Sequence, residues 1–209
     1  MLPDETMARR PIAARSSAWA VALSARLARA GVTPNAISVG SIIFGAIGGL
    51  LIGLTAHPVG WLIAAACVQL RLVSNLLDGM VAIEGGLKTK TGPIYNEFPD
   101  RIADTFLLVP LGYAAGEPWL GWASALLAAL TAYVRVFGGA VGLVQDFSGI
   151  MAKQRRMAAL TVGLVAQTME WFFSATHWSL LMAAVLIAGG SLVTCITRTI
   201  KIARKLERA

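Results

Sequence analysis

Oxygen-bearing side chains recur at helical spacing between positions 75 and 104 of this 209-residue chain. Asn75 and Asp78 are three residues apart, and Asn96, Asp100 and Asp104 follow one another at intervals of four. Each group is therefore expected on one helix face, and the short segment between the groups lets the two faces meet. Carboxylate and amide oxygens are ligands that Mg²⁺ and Mn²⁺ prefer, so the pattern predicts a divalent cation site.

The surroundings of these polar side chains are apolar. The chain is 56% hydrophobic and only 14% charged, and its mean hydropathy is +0.68. A soluble domain of this length needs more surface charge, so the long uncharged runs indicate a bilayer. Polar groups in membrane helices also link helices by hydrogen bonds. A cluster of aspartates favours a functional site instead, because uncompensated charge there costs about 3 kcal/mol or more.

Six apolar segments are each close to or longer than the roughly 20 residues that a membrane-spanning helix needs. They are Asn35–Ala56, Gly60–Ile83, Ile94–Gly116, Trp119–Val144, Met157–Thr176 and Ser179–Lys201. In the first segment, Gly45, Gly49 and Gly53 recur every four residues and predict a smooth stripe for close helix packing.

The basic residues predict the orientation in the membrane. They precede the first segment, separate the second from the third and the fourth from the fifth, and end the chain from Arg198 onwards. The alternate connections, around His57, Glu117 and His177, contain no Lys or Arg. This alternation places both termini and the charged site in the cytoplasm, in a bacterial-type inner or plasma membrane. It also accounts for the net charge of +7 without a nucleic-acid partner.

The chain is thus expected to be an all-α integral membrane protein with six transmembrane helices after an N-terminal amphipathic juxtamembrane helix. Residues 1–34 form a basic segment in which Trp19, Val21, Leu23 and Leu27 recur among arginines. This spacing favours a helix on the anionic cytoplasmic leaflet over a disordered basic tail. Residues 35–201 form the membrane domain, and residues 202–209 a basic cytoplasmic tail.

The central stretch resembles the motif of CDP-alcohol phosphatidyltransferases, D-x2-D-G-x2-A-R-x8-G-x3-D-x3-D, which lies on the second and third of six helices. Every spacing matches, with motif positions occupied by Asn75, Asp78, Gly79, Ala82, Gly92, Asn96 and Asp100. A second family pattern, T-P-N-x-[IL]-[ST], is similar to the stretch from Thr33 to Ser38 at the start of the first segment. The resemblance extends from about Thr33 through the basic loop at Lys153 and to the end of the chain.

Three motif positions depart from the family. Asn75 and Asn96 replace the first and third aspartates, and Ile83 replaces the arginine. The site is less anionic as a result, and the sequence leaves open whether it holds one metal or two. A rival alignment pairs Asp100 and Asp104 with the last two family aspartates. It requires a four-residue insertion and places Asn96 at the glycine position, so the gap-free alignment is preferred.

The resemblance implies a metal-dependent transferase of phospholipid synthesis. It would move a phosphatidyl or alcohol-phosphate group from a CDP-linked donor, such as CDP-diacylglycerol (CDP-DAG), to an alcohol acceptor and release CMP. Asn75, Asp78, Asn96 and Asp100 would hold Mg²⁺ or Mn²⁺. Asp100 would accept the proton of the alcohol, and Asp104 is the alternative candidate for this base.

The remaining site residues are expected to bind the substrates. The nucleotide would lie against Asn35, Gly79, Ala82 and Gly92. Six basic residues are candidates for the substrate phosphates: Arg71, Arg101, Arg135, Lys153, Arg155 and Arg156. Instead of binding phosphate, the arginines in membrane helices could form ion pairs with Asp side chains. The alternative for the basic run at 153–156 is a purely topological role.

Two other functions stay open at this stage. The Asp-to-Asn departures are also expected of a non-catalytic relative that binds nucleotide lipid or a partner enzyme. A small transporter is a third option, disfavoured because the sequence has no obvious inverted repeat. The expected partners are the CDP-linked lipid donor, the alcohol acceptor, membrane lipids and a second copy of the chain in a homodimer.

Overall fold

The computed structural model describes residues 13–174 and 176–208, and within these ranges it consists of helices and their connections. A short 3₁₀ turn at Ala13–Ser16 precedes seven α-helices. They are α1 (Ala18–Arg29), α2 (Pro34–Leu54), α3 (Pro58–Ile83), α4 (Gly92–Ala114), α5 (Pro118–Ala140), α6 (Lys153–Glu170) and α7 (Trp178–Leu206). Residues 1–12 of the predicted 1–34 segment and residue 209 of the predicted tail lie outside the described residues.

Helices α2 to α7 correspond one to one with the six predicted apolar segments. Their first residues differ from the predicted ones by one to four positions. Among the described helices, α2, α3, α5 and α7 are long and apolar enough to cross a membrane by length and composition. Helix α4 carries the charged motif, and α6 has 18 residues and opens on a basic run. The chain is therefore an all-α membrane protein with at least four candidate spans.

Proline and capping residues set where several helices begin. Pro34, Pro58 and Pro118 each occupy the first turn of a helix, where the missing N–H has no helical partner to lose. Thr33 caps α2, because its hydroxyl accepts a hydrogen bond of 3.2 Å from the backbone N–H of Ala36. The Thr-Pro pair of the second motif thus starts α2. The motif residues that follow it therefore lie in the first turns of this helix.

The helices pack around one apolar core, to which α2 through α7 all contribute. Val68, Leu107, Leu164 and Ile187 are among its buried members. The outer surface is also rich in large apolar side chains, such as Leu54, which is 79% exposed. Buried charge and an apolar exterior together are the arrangement expected of a bundle surrounded by lipid.

The predicted glycine stripe is a packing surface between α2 and α4. A Cβ atom at Gly45 would lie 3.0 Å from Cα of Ala103, and one at Gly49 would overlap the carbonyl oxygen of Phe106. Only glycine permits this approach of the two backbones. The contact fixes α4, and hence its polar residues, against α2.

We expect Gly49→Ala to destabilise the fold by about 1–3 kcal/mol, the usual cost of an added methyl group in a fully packed interior. Gly40→Ala is the matched control on the same helix, because a Cβ atom there meets nothing within 4 Å. Thermal unfolding of the two variants in mild detergent measures the difference. Equal stabilities would mean that the α2–α4 contact is looser than described.

Candidate functional site

A cavity of about 1000 Å³ lies where α3 ends and α4 and α6 begin. It is lined by all four predicted metal ligands, Asn75, Asp78, Asn96 and Asp100. All four residues predicted to contact the nucleotide line it as well: Asn35, Gly79, Ala82 and Gly92. The faces of α3 and α4 that carry the first motif thus meet around one open space.

The α3 side of the cavity joins the two motifs. Ser38, from the second motif on α2, donates a hydrogen bond of 2.6 Å to Oδ2 of Asp78. Oδ1 of Asp78 is buried and has no hydrogen-bond partner among the described residues, and neither has the side-chain nitrogen of Asn75. Ser38 therefore fixes the Asp78 carboxylate and leaves its second oxygen for a ligand. Both residues belong to the sequence motifs, but the motifs did not predict the hydrogen bond between them.

The α4 side centres on Asp100, a buried residue whose carboxylate contacts three cations. Nη2 of Arg71 lies 3.3 Å from Oδ1, and Nη2 of Arg101 lies 3.6 Å from Oδ2. Nζ of Lys153, the first residue of α6, forms an ion pair with Oδ2. These contacts hold the carboxylate in position at the cavity wall. Any cation that binds Oδ2 must share it with Lys153.

Asp104 is 2% exposed and is not among the residues that line the cavity. Its carboxylate lies between two buried arginines, 2.6 Å from Nη2 of Arg71 and 2.7 Å from Nη2 of Arg156. Arg71 also donates a 3.1 Å hydrogen bond to the backbone carbonyl of Asp100. Asp104 thus links α4 to α3 and α6 beneath the cavity floor, and its position suits a structural ion pair.

The predicted phosphate-binding residues divide into two groups. Arg101, Arg135, Lys153 and Arg156 line the cavity, whereas Arg71 and Arg155 are not among its lining residues. Arg155 is exposed and donates a hydrogen bond of 3.3 Å to the carbonyl of Gly149.

Arg135 of α5 is held at the cavity wall by three contacts. It forms an ion pair with Glu97 of α4 and donates a hydrogen bond to Gln145. Its guanidinium also lies 4.9 Å from the centre of the Phe147 ring, within range of a cation–π interaction. The segment between α5 and α6 therefore folds back over α5 and orients Arg135.

Arg198 of α7 is a cavity residue that the sequence interpretation assigned only to the basic end of the chain. It is buried and donates hydrogen bonds to the carbonyls of Thr131 (2.6 Å) and Ser148 (2.8 Å). Its position inside an apolar helix was the available signal. Among the described residues, seven basic side chains line the cavity: Arg15, Lys88, Arg101, Arg135, Lys153, Arg156 and Arg198. The acidic lining residues are Asp78, Glu97 and Asp100, so the cavity has an excess of positive charge.

The donor set fits a divalent cation. Within the described residues, no three carboxylate, histidine or cysteine side chains gather as a metal-binding group. The cavity instead combines the carboxylates of Asp78 and Asp100 with the amides of Asn75 and Asn96. The buried Oδ1 of Asp78 has no hydrogen-bond partner among the described residues, as expected of a carboxylate oxygen that receives a hard cation.

Comparisons with known proteins show which proteins this chain is similar to. No protein-family model matches the chain. It is 29% identical over 146 residues to the inner membrane protein YnbA of Escherichia coli, covering 67% of this chain and 73% of that protein. It is 29% identical over 190 residues to the phosphatidylinositol phosphate synthase of Mycobacteroides abscessus, covering 84% of this chain and 80% of that enzyme.

The fold is that of a solved synthase. The crystal structure of Mycobacterium tuberculosis phosphatidylinositol phosphate synthase with CDP-DAG bound superposes with a TM-score of 0.73 at 20% identity, covering 89% of this chain and 94% of that one. The same enzyme in complex with manganese and citrate superposes with a TM-score of 0.71 at 21% identity, covering 88% of each chain. The motif spacing, the shared fold and the coverage of both chains make this chain similar to phosphatidylinositol phosphate synthases, which are CDP-alcohol phosphatidyltransferases.

Proposed function

We propose that this protein is a phospholipid-synthesis transferase that moves the phosphatidyl or alcohol-phosphate group of a CDP-linked donor to an alcohol acceptor and releases CMP. The observation that carries the proposal is the convergence of both motifs on one cavity, where Ser38 of α2 holds Asp78 of α3 opposite Asp100 of α4. The similarity to phosphatidylinositol phosphate synthases supports the same reaction class.

Asp100 is the proposed general base. Its carboxylate reaches the cavity, and its ion pairs with Arg71 and Lys153 hold it in place. A carboxylate in this position accepts the proton of the alcohol as the alcohol oxygen attacks phosphorus. Asp104 is enclosed by Arg71 and Arg156, and its proposed role is to hold those two arginines in position.

The proposed cofactor is Mg²⁺ or Mn²⁺, held by Asp78 and Asp100 with Asn75 and Asn96 as neutral ligands. When bound, the cation would neutralise charge on the donor diphosphate and help to align it for in-line displacement. The manganese complex of the structurally similar synthase supports this assignment. Lys153, which forms an ion pair with Asp100 and lines the cavity, is a proposed ligand of the substrate phosphates.

The excess of basic residues supports an anionic acceptor. Donor diphosphate and a divalent cation nearly offset each other in charge, so the positive charge of Arg198, which donates its hydrogen bonds to carbonyls, stays available. A cavity of this sign concentrates anionic ligands. We therefore propose that the acceptor is an alcohol that carries a phosphate of its own.

A panel assay tests the function. Purified protein is mixed with CDP-DAG, Mg²⁺ and pairs of polyols with and without a phosphate group, and CMP release is measured. Release with the phosphorylated member of a pair is the expected result. Binding of CDP-DAG without CMP release, whatever the acceptor, would instead identify a non-catalytic relative that carries nucleotide lipid.

We also propose that α2 to α7 all span the membrane, with both termini and the cavity on the cytoplasmic side. The alternation of basic connections supports this topology. Reporter fusions at Lys90, between α3 and α4, and at Glu117, between α4 and α5, are expected to report opposite sides. The same side at both positions would show that α4 does not cross. In that case the count of six helices is wrong.

Homodimer formation is a further proposal, supported by the resemblance of the chain to CDP-alcohol phosphatidyltransferases. Cross-linking in native membranes is expected to trap a species of twice the monomer mass. A single monomeric species, both in cross-linked membranes and by mass measurement in mild detergent, would contradict it.

A further inference from the structure

The N-terminal segment reaches the cavity through Arg15. The 3₁₀ turn Ala13–Ser16 packs against α3 ahead of the membrane domain. Arg15 lines the cavity together with Asn75, Asp78 and Gly79. A Cβ atom built at Gly79 would lie 3.4 Å from Nη2 of Arg15. The guanidinium therefore lies directly over the backbone of α3 at the motif glycine.

The same place is where an arginine at position 83 would project. The family pattern has arginine there, but this chain has Ile83, the last residue of α3 and also a cavity-lining residue. Residues 79 and 83 are four apart and share a helix face. A helical side chain leans towards the N-terminus and covers the turn before its own Cα. An arginine at 83 would thus cover Gly79, where the guanidinium of Arg15 lies.

We infer that Arg15 supplies the guanidinium that the family pattern places at position 83, and that it binds the diphosphate of the nucleotide donor. The inference rests on the proposed function, since that function provides the diphosphate. A guanidinium matches phosphate oxygens with two parallel hydrogen bonds. Gly79 has no side chain to separate Arg15 from a nucleotide on α3. The site is then completed by a residue from outside the six-helix domain.

Binding of CDP to the purified full chain with Mn²⁺, measured by calorimetry, tests the inference. Arg15→Ala is expected to weaken CDP binding about 10- to 100-fold, the range that follows from losing a hydrogen bond to a charged group. Arg26→Ala is the matched control, because Arg26 is exposed on α1 and is not among the cavity-lining residues. Adding Ile83→Arg to Arg15→Ala is expected to restore most of the affinity.

The outcomes separate the inference from the proposed function. Unchanged CDP affinity in Arg15→Ala would overturn the inference, as would a loss that Ile83→Arg does not restore. If Arg15→Ala fails to fold, Arg15→Lys keeps the charge. It is expected to bind CDP more weakly than wild type, and equal affinity would overturn the inference. Failure of the wild-type protein to bind CDP would contradict the proposed function and remove the inference with it.

Discussion

Replacing Asp100 with asparagine is expected to abolish CMP release while the protein stays folded. Asparagine has nearly the same shape and can still accept hydrogen bonds from Arg71 and Lys153, which contact this side chain in the native protein. It cannot accept the proton of the alcohol. Loss of a general base alone lowers the rate about 10²–10⁴-fold, and loss of an anionic metal ligand lowers it further. Initial rates of CMP formation measure the effect.

Asp146→Asn is the matched control for this prediction. Asp146 lies between α5 and α6 and is not among the cavity-lining residues. Burial alone would raise the pKa of Asp146, but hydrogen bonds from Ser148 and the nearby Lys201 ammonium lower it, so the residue is charged at neutral pH. The control therefore removes the same single negative charge from a residue that does not line the cavity. Near wild-type CMP release by Asp100→Asn would contradict the role given to Asp100.

Asp104→Asn is expected to lower the free energy of unfolding by about 3–5 kcal/mol, the usual cost of removing one member of a buried ion pair. The change leaves the buried guanidinium of Arg156 without a carboxylate, and that of Arg71 with only the longer contact to Asp100. Thermal unfolding in mild detergent measures the loss. Adding Arg156→Gln is expected to recover part of it, because the uncompensated charge is then removed as well.

The activity of the folded Asp104→Asn protein decides between the two alignments. Under the gap-free alignment, the fraction that stays folded retains most of its CMP release, since Asp100 is the base. Undiminished stability together with a complete loss of CMP release would instead make Asp104 the base and support the shifted alignment.

Much of the fold was predictable because membrane helices are defined by local composition. The six apolar segments became α2 to α7, and the glycine stripe of α2 became its contact with α4. The spacing of polar residues likewise predicted that Asn75 and Asp78 would lie with Asn96 and Asp100 around one space. These features depend on helix periodicity and on a short connection, which the sequence shows directly.

The roles of individual charges depended on tertiary packing. Residues four apart turn by about 40° on a helix of 3.6 residues per turn, so Asp104 points about 80° away from Asn96. This rotation takes Asp104 from the cavity to Arg71 and Arg156. Arg198 was missed for a similar reason. Arg198 is buried and donates a hydrogen bond to the carbonyl of Ser148, which lies in the connection between α5 and α6. Helix composition does not predict that contact.

The most direct test of the proposed function is parallel measurement of CMP and of lipid product from CDP-DAG and a labelled phosphorylated alcohol, with Mg²⁺ and with EDTA. We predict equimolar CMP and labelled lipid with Mg²⁺, neither with EDTA, and neither from Asp78→Asn, which removes the carboxylate that Ser38 holds at the cavity. CMP without labelled lipid would indicate hydrolysis. No CMP under any condition would contradict the proposal that this cavity transfers a CDP-linked group.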